Sequence, residues 1–121
     1  MARPAHSPEL VFKIAPADIA AAARDSGTFT GMPIDREDGF IHLSTAAQLP
    51  ETLALHFRGQ DNLVLLAVRP HNVGSILRWE PSRGGQLFPH VYGGLPMSAV
   101  VWTAPIAVAA DGTCMLPEAV R

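Results

Sequence analysis

One segment of this chain reads Arg78-Trp79-Glu80-Pro81-Ser82-Arg83-Gly84-Gly85-Gln86-Leu87-Phe88-Pro89-His90-Val91-Tyr92. Two consecutive glycines lie near its middle, and they favour a tight turn because glycine adopts positive φ at no steric cost. Residues 76–80 and 87–92 flank this turn and mix apolar with polar side chains, so we expect them to pair as a β-hairpin. The segment therefore predicts antiparallel β-structure in the second half of the chain.

Each predicted strand has an apolar face and a polar face, because successive side chains on a strand point to opposite sides. His90 and Tyr92 share one face of the second hairpin strand, and Glu80 lies on the polar face of the first. Upstream, residues 40–43 form another expected strand, and alternation places His42 and the following Ser44 on the face opposite two aliphatic residues. We expect these polar faces to meet in one cleft.

The chemistry of such a cleft follows from its side chains. Histidine has the unperturbed pKa closest to working pH, so we predict His42, Glu80 and His90 as catalytic residues that exchange protons or stabilise charge. The guanidinium of Arg83, next to the glycine turn, suits a phosphate or carboxylate. The rings of Trp79 and Tyr92 suit stacking on a flat ligand ring.

Structural roles compete with these interpretations. Ser44 is equally suited to capping the following helix, and a half-buried His42 can donate to a main-chain carbonyl. Trp79 fits a core better than a ligand platform, and Glu80 and Arg83 can pair across their turn with little energetic effect. His42, Glu80 and His90 are also a two-histidine, one-carboxylate set, but no close ligand spacing supports it. We therefore expect no metal site.

The remaining elements complete an α+β domain. We expect a first strand over residues 9–14, a helix that Pro16 opens and Gly27 ends, and a second helix that starts near a Thr45–Gln48 capping box. Residues 63–68 are an unbroken apolar run, which is typical of a central strand buried on both faces. Residues 106–108 and 113–116 flank Asp111-Gly112, a hairpin signal. Residues 35–39 read as a solvated charged turn.

This pattern predicts a single globular domain over residues 9–117, preceded by a flexible tail over residues 1–8. Two helices in the N-terminal half would pack on short, mostly antiparallel sheets. The formal net charge of -2 gives no footprint for a nucleic-acid duplex and no polybasic patch for a membrane surface. A single cysteine excludes an intrachain disulfide, and the chain shows neither a signal peptide nor an apolar run of roughly 18 residues. We expect a cytoplasmic protein with a small-molecule ligand; the oligomeric state stays open.

The chain resembles the family called domain of unknown function 952, whose members are small, mostly bacterial, single-domain proteins without an established activity. The resemblance extends from about Leu10 to about Pro117. It is carried by three motifs: Gly39-Phe40-Ile41-His42-Leu43-Ser44, Arg78-Trp79-Glu80 and Phe88-Pro89-His90-Val91-Tyr92-Gly93.

That family is remotely similar to the ADP-ribosyltransferase superfamily, whose α+β fold holds NAD in a cleft between two small sheets. The similarity implies that His42 and Ser44 face a nucleotide, and that Lys13 stands where many relatives have a ligand-contacting histidine. It further implies NAD as a substrate, with ADP-ribosyl transfer or NAD glycohydrolysis as the reaction. The alternative is a non-catalytic module that binds a small molecule or a peptide.

Overall fold

A computed structural model of the chain describes residues 8–120. Its strands are β1 (Val11–Pro16), β2 (Thr28–Phe29), β3 (Ile41–His42), β4 (Leu63–Val68), β5 (Leu77–Pro81), β6 (Leu87–Val91), β7 (Leu95–Pro96) and β8 (Val100–Ile106). Its α-helices are α1 (Ala17–Ser26), α2 (Pro33–Asp38), α3 (Leu49–His56) and α4 (Pro70–Val73), and single 3₁₀ turns cover Gly74–Ile76, Arg83–Gly85 and Met97–Ala99.

The strands form small antiparallel sheets. The first has the order β1-β4-β8, the second has the order β3-β6-β5, and β2 pairs with β7 alone. A pair of main-chain hydrogen bonds between Phe12 and Ser44 joins β1 to the residue that lies two positions beyond β3. This bridge brings the first sheet next to the second, which carries the expected polar residues.

The core is divided by the β1-β4-β8 sheet. One cluster packs the sheet against α1 and the apolar face of the second sheet, and it includes Val11, Leu66, Ile41, Trp79 and Val91. The other cluster packs the opposite face against α3 and the segment that follows β8, and it includes Phe12, Leu65, Leu49, Leu53 and Ile106. The central strand β4 contributes to both clusters, which confirms the prediction that its unbroken apolar run is buried on both faces.

The two expected helices correspond to α1 and α3. Gly27 ends α1 in the left-handed region at φ +88°, where glycine avoids the steric cost of a side chain. Before α3, Thr45 and Gln48 exchange two side-chain hydrogen bonds with each other's main-chain N–H groups, at 2.9 and 3.3 Å. This reciprocal pair closes the turn that precedes α3, whose N-cap residue, Gln48, makes no side-chain cap hydrogen bond.

Two local predictions are wrong. Residues 33–38 form helix α2 rather than a solvated turn, because Pro33 suits a first helical position and the Asp35 carboxylate accepts the N–H of Met32 at 2.7 Å. The expected pair of strands around Asp111-Gly112 is a hydrogen-bonded turn, closed by the N–H of Ala109 on the carbonyl of Thr113 at 2.8 Å, and β8 ends before it.

The architecture is a single α+β domain with few helices and small antiparallel sheets. The short helices α2 and α4 add to the two that the sequence predicted. Residues 1–7 of the expected N-terminal tail lie outside the described residues, and residue 8 is the first described.

Candidate functional site

The two histidines of the expected cleft are direct partners. His42 on β3 pairs with His90 on β6, and Arg78 on β5 pairs with His90 from the other side. The ring centroids of the histidines are 5.6 Å apart. Alternation places these side chains on the face of the β3-β6-β5 sheet that is opposite the core. We call this side of the sheet the polar face; it also carries Glu80 and Tyr92.

His90 is held by a carboxylate. Its Nδ1 lies 2.8 Å from Oε1 of Glu80, and the hydroxyl of Tyr92 donates to the same oxygen at 2.7 Å. A carboxylate only accepts, so Nδ1 carries the proton and Nε2 keeps a lone pair. Every fully buried side-chain nitrogen and oxygen of residues 8–120 has a hydrogen-bond partner. Nε2 makes none of the described hydrogen bonds, and His90 as a whole is only 4% exposed.

The electrostatics of His90 and Glu80, which we call the dyad, favour an uncharged imidazole that can act as a base. Burial lowers the pKa of His90, and the neighbouring Glu80 carboxylate only partly opposes that effect. The hydrogen bond from Tyr92, followed by the one from His90, lowers the pKa of Glu80. The hydrogen bond to Glu80 in turn raises the pKa of Tyr92. At neutral pH the dyad therefore holds an ionised acid beside an uncharged imidazole, which can accept a proton at Nε2.

His42 lies between two carboxylates. Its Nδ1 is 2.7 Å from Oδ1 of Asp35, and its Nε2 is 2.9 Å from Oδ2 of Asp38. The first contact is a hydrogen bond, and the second is an ion-pair contact without hydrogen-bond alignment. The polar face thus pairs a histidine flanked by two carboxylates on β3 with a histidine held by one carboxylate on β6.

Asp35 connects His42 to a buried lysine. The ammonium of Lys13 lies 3.0 Å from Oδ1 and 2.9 Å from Oδ2 of Asp35, and it also donates to the carbonyl of His42 at 3.0 Å. Burial would raise the pKa of Asp35, but the hydrogen bond from His42 and the charge of Lys13 outweigh it and lower that pKa to about 2. Burial lowers the pKa of Lys13, against the pull of Asp35. Lys13 and Asp35 form a buried salt bridge beneath His42.

An aromatic ring covers the two histidines. Phe40 stacks on His90 with a centroid separation of 4.1 Å, and its ring lies 4.6 Å from His42 and 5.4 Å from Tyr92. The guanidinium of Arg78 lies over the Tyr92 ring at 4.8 Å, a typical cation–π distance. The rim of the polar face therefore presents flat rings and one guanidinium.

Ser44 and Arg83 belong to another cluster. The hydroxyl of Ser44 lies 3.1 Å from that of Thr52, to which Arg83 also donates at 3.2 Å. Arg83 further pairs with Glu51 at 2.7 Å and stacks on Phe88 at 4.9 Å. Arg83 thus reaches helix α3 instead of pairing with Glu80 across the turn, and Ser44 bonds a helix side chain rather than capping the helix.

Trp79 lies away from the polar face. Its side chain is 4% exposed and packs in the core cluster with Ile41 and Val91. The alternation that places Glu80 on the polar face directs Trp79 to the other side of the sheet. We therefore leave Trp79 out of the candidate ligand site, in keeping with its alternative interpretation as a core residue.

Two cavities among residues 8–120 differ in their lining. One of about 710 Å³ lies beside the ends of β4 and β8 and is lined mainly by apolar side chains such as Leu63, Ile106 and Met115. None of the predicted site residues lines it. The other, of about 290 Å³, is bordered by Asp35, Phe40 and Gly93 and lies next to the His42 contacts. None of the predicted site residues lines the smaller cavity either, but Asp35, which borders it, accepts a hydrogen bond from the ring of His42 and has a lowered pKa.

Four residues of the site were missed from the sequence: Asp35, Asp38, Phe40 and Arg78. The two aspartates were assigned to a solvated turn, whereas Asp35 is 2% exposed. A signal was available in Pro33, which favours a helix start, and the helix it opens ends only four residues before His42. Phe40 and Arg78 lie on the same strand faces as His42 and Glu80, so alternation alone could have added them.

Two further structural findings concern metals and membranes. Among residues 8–120, no group of three or more histidine, cysteine, aspartate or glutamate side chains is arranged to hold a metal ion. None of the helices described in the same residues combines the length and the apolar character that crossing a membrane requires.

Comparison with known proteins supports the fold. A crystal structure of protein CC0527 from Caulobacter crescentus is similar with a TM-score of 0.83 and 48% sequence identity, covering 88% of this chain and 94% of that chain. A solution NMR structure of the same protein gives a TM-score of 0.76 at 48% identity, with 87% and 90% covered. No curated protein matches the chain. Residues 14–103 match the family described as "Protein of unknown function (DUF952)", and the chain belongs to that family.

Proposed function

We propose that the polar face of the β3-β6-β5 sheet binds a nucleotide-like ligand of the NAD or ADP-ribose class and transfers its ADP-ribose to water or another acceptor. The observation that carries the proposal is the paired geometry of His42 and His90, with Glu80 fixing which nitrogen of His90 is basic. The remote similarity to ADP-ribosyltransferases, whose ligand lies between two small sheets, supports the choice of ligand class.

The proposed reaction assigns each group a task. Water attacks the anomeric carbon of the nicotinamide ribose, the bond to nicotinamide breaks, and nicotinamide leaves with the bonding electrons. Nε2 of His90 takes the proton that the water loses. With another acceptor, a hydroxyl replaces water in the same step.

Glu80 has a free oxygen for this reaction. Both of its described hydrogen bonds end on Oε1, so Oε2 remains available to stabilise the positive charge that develops on the ribose. Such a fixed carboxylate acts mainly on the transition state, because the ground-state sugar is neutral at that carbon. The rings of Phe40 and Tyr92 offer surfaces for a planar base, and Arg78 offers a positive charge near them.

Isothermal titration and product analysis test the proposal. We expect heat of binding with NAD or ADP-ribose, and release of nicotinamide from NAD by the native chain. Titration with 2′-phosphorylated RNA covers the branch of the superfamily that the motif around His42 resembles. No heat with any of the three, at protein concentrations that detect roughly millimolar affinity, contradicts the proposal.

Two variants and a control sharpen the result. Glu80→Gln and His90→Gln should each reduce nicotinamide release by about 10²-fold or more, the usual range for a general base. His56→Gln changes an exposed histidine on α3 and should leave the rate unchanged. Equal rates of nicotinamide release in all three variants would show that Glu80 and His90 take no part in the reaction.

The second candidate is a non-catalytic module that binds a small molecule or a peptide. It is favoured by the almost complete burial of His90 beneath Phe40 and by the full set of internal partners around His42. A network of this kind can give rigidity rather than turnover. Ligand binding that persists in Glu80→Gln, with no product formed by the native chain, would select this candidate.

A further inference from the structure

The two carboxylates that contact His42 differ in how firmly they are held. Asp35 is 2% exposed and accepts hydrogen bonds from Lys13, from the N–H of Met32 and from the N–H of His42 as well as facing the ring. Its position is fixed by several independent contacts. Asp38 faces only the ring, through the 2.9 Å contact at Nε2, and makes no other described hydrogen bond or ion pair within residues 8–120.

The surroundings of Asp38 also weaken its contact with the ring of His42. Its side chain is 42% exposed, and an ion pair at such exposure contributes little to stability. Asp38 is the last residue of α2, where the free carbonyl groups of the helix end disfavour a negative charge. Gly39 follows at φ +88° and ends the helix.

We infer that Asp38 occupies the place of a ligand anion, and that an anionic oxygen of the bound ligand replaces its carboxylate at Nε2 of His42. This inference rests on the proposed function of the polar face and adds the group by which the ligand is recognised there. A phosphate and a carboxylate both offer such an oxygen, and the pyrophosphate of an NAD-like molecule is one source.

Physical chemistry supports an exchange rather than an addition. Nε2 of His42 and Oδ2 of Asp38 lie 2.9 Å apart as an ion-pair contact rather than an aligned hydrogen bond, so losing the Asp38 contact costs little. An incoming anionic oxygen that aligns with Nε2 gains a charge-assisted hydrogen bond in its place. Asp35 keeps the ring in place during the exchange because it holds the opposite nitrogen, Nδ1.

The test uses small anions as probes. Inorganic phosphate, pyrophosphate and acetate are titrated into the full chain at constant ionic strength, and the ring nitrogens of His42 are followed by long-range ¹H–¹⁵N NMR. The native chain is compared with Asp38→Asn, which keeps the shape and removes the charge. Glu37→Gln is the matched control, because it removes an exposed charge one residue earlier on the same helix.

We expect Asp38→Asn to bind phosphate or pyrophosphate about two- to fivefold more tightly than Glu37→Gln does. The reason is that the anion no longer competes with the weak ion pair between Asp38 and His42. The Nε2 signal of His42 should move on binding, and acetate should separate phosphate selectivity from a general preference for anions. Equal affinities in the two variants, or an unmoved Nε2 signal, overturn the inference. Those outcomes leave the test of NAD turnover untouched, since it is read from released nicotinamide.

Discussion

Tyr92 and His90 bind the same oxygen of Glu80, at 2.7 and 2.8 Å. One carboxylate oxygen therefore contacts both a phenol and an imidazole two residues apart in sequence, and it raises the pKa of the phenol. The other oxygen, Oε2, makes none of the described hydrogen bonds. The negative charge of Glu80 is therefore held in place and still available to a ligand. The first prediction follows from this shared acceptor.

Glu80→Gln should lower the pKa of Tyr92 towards its ordinary value, because the native carboxylate favours the protonated phenol. Tyr92 is the only tyrosine in the chain, so the ultraviolet absorbance of its phenolate reports this pKa directly. Glu51→Gln removes an exposed carboxylate that binds Arg83 instead, and it should leave the titration of Tyr92 unchanged. A Tyr92 titration that is identical in native and Glu80→Gln proteins would contradict the hydrogen bond.

Asp35→Asn should destabilise the fold by about 3–5 kcal/mol, because it leaves the Lys13 ammonium buried without its counter-charge. The double variant Lys13→Met, Asp35→Asn should recover part of that loss, since the uncompensated charge is gone. Urea unfolding measures both free energies. Asp25→Asn, in the exposed pair with Arg24, should change stability by less than about 0.5 kcal/mol. Strict additivity of the two buried substitutions would show that Lys13 and Asp35 do not interact.

Stability should fall in acid through the titration of Asp35. Its pKa is about 2 in the folded chain against 3.8 ordinarily, so the unfolded chain binds more protons between those values. The contribution of Asp35 to the free energy of unfolding is therefore fully present above pH 3.8. About 2 kcal/mol of it is lost as the pH falls to 2. Urea unfolding across this range checks the slope. The slope should become shallower in Asp35→Asn, and an unchanged slope would assign the acid sensitivity to other carboxylates.

Trp79→Phe should lower stability without changing ligand affinity. The indole is enclosed in the core cluster, and a smaller ring leaves unfilled space, at a cost below the about 3–5 kcal/mol of an alanine replacement. Trp102→Phe, at a partly exposed ring on β8, should cost less. Thermal unfolding with and without ADP-ribose separates the two effects. Weakened ADP-ribose binding at unchanged stability would return Trp79 to the ligand site.

Much of the β-structure could be predicted from the sequence because its signals are local. The unbroken apolar run of β4 indicated a central strand, and two glycines between alternating segments indicated the β5–β6 hairpin. Alternation placed His42, Glu80 and His90 on polar faces. What alternation cannot give is the partner of a strand, since the pairing of His42 with His90 joins residues 48 positions apart through tertiary packing.

The remaining errors concern charged residues whose partners are distant in sequence. Asp35 looks solvated in its own segment, and its burial depends on several partners, of which Lys13 lies 22 residues earlier. Arg83 was expected to pair nearby with Glu80, whereas Glu51 and Thr52 on α3 take its donors. A charged side chain carries no periodic signal of its burial, so the fold must be known before its partner can be named.

The two hydrogen bonds between Phe12 and Ser44, at 2.7 and 2.9 Å, set the alignment of β1 with the second sheet. Lys13 is the next residue, and its ammonium meets Asp35 only in this alignment. A slip by one position would put a phenyl ring against the carboxylate and force the ammonium into the apolar cluster around Leu49 and Leu53. Lys13 thus favours the native alignment of β1, because a mispaired strand leaves both the ammonium and the Asp35 carboxylate buried without each other.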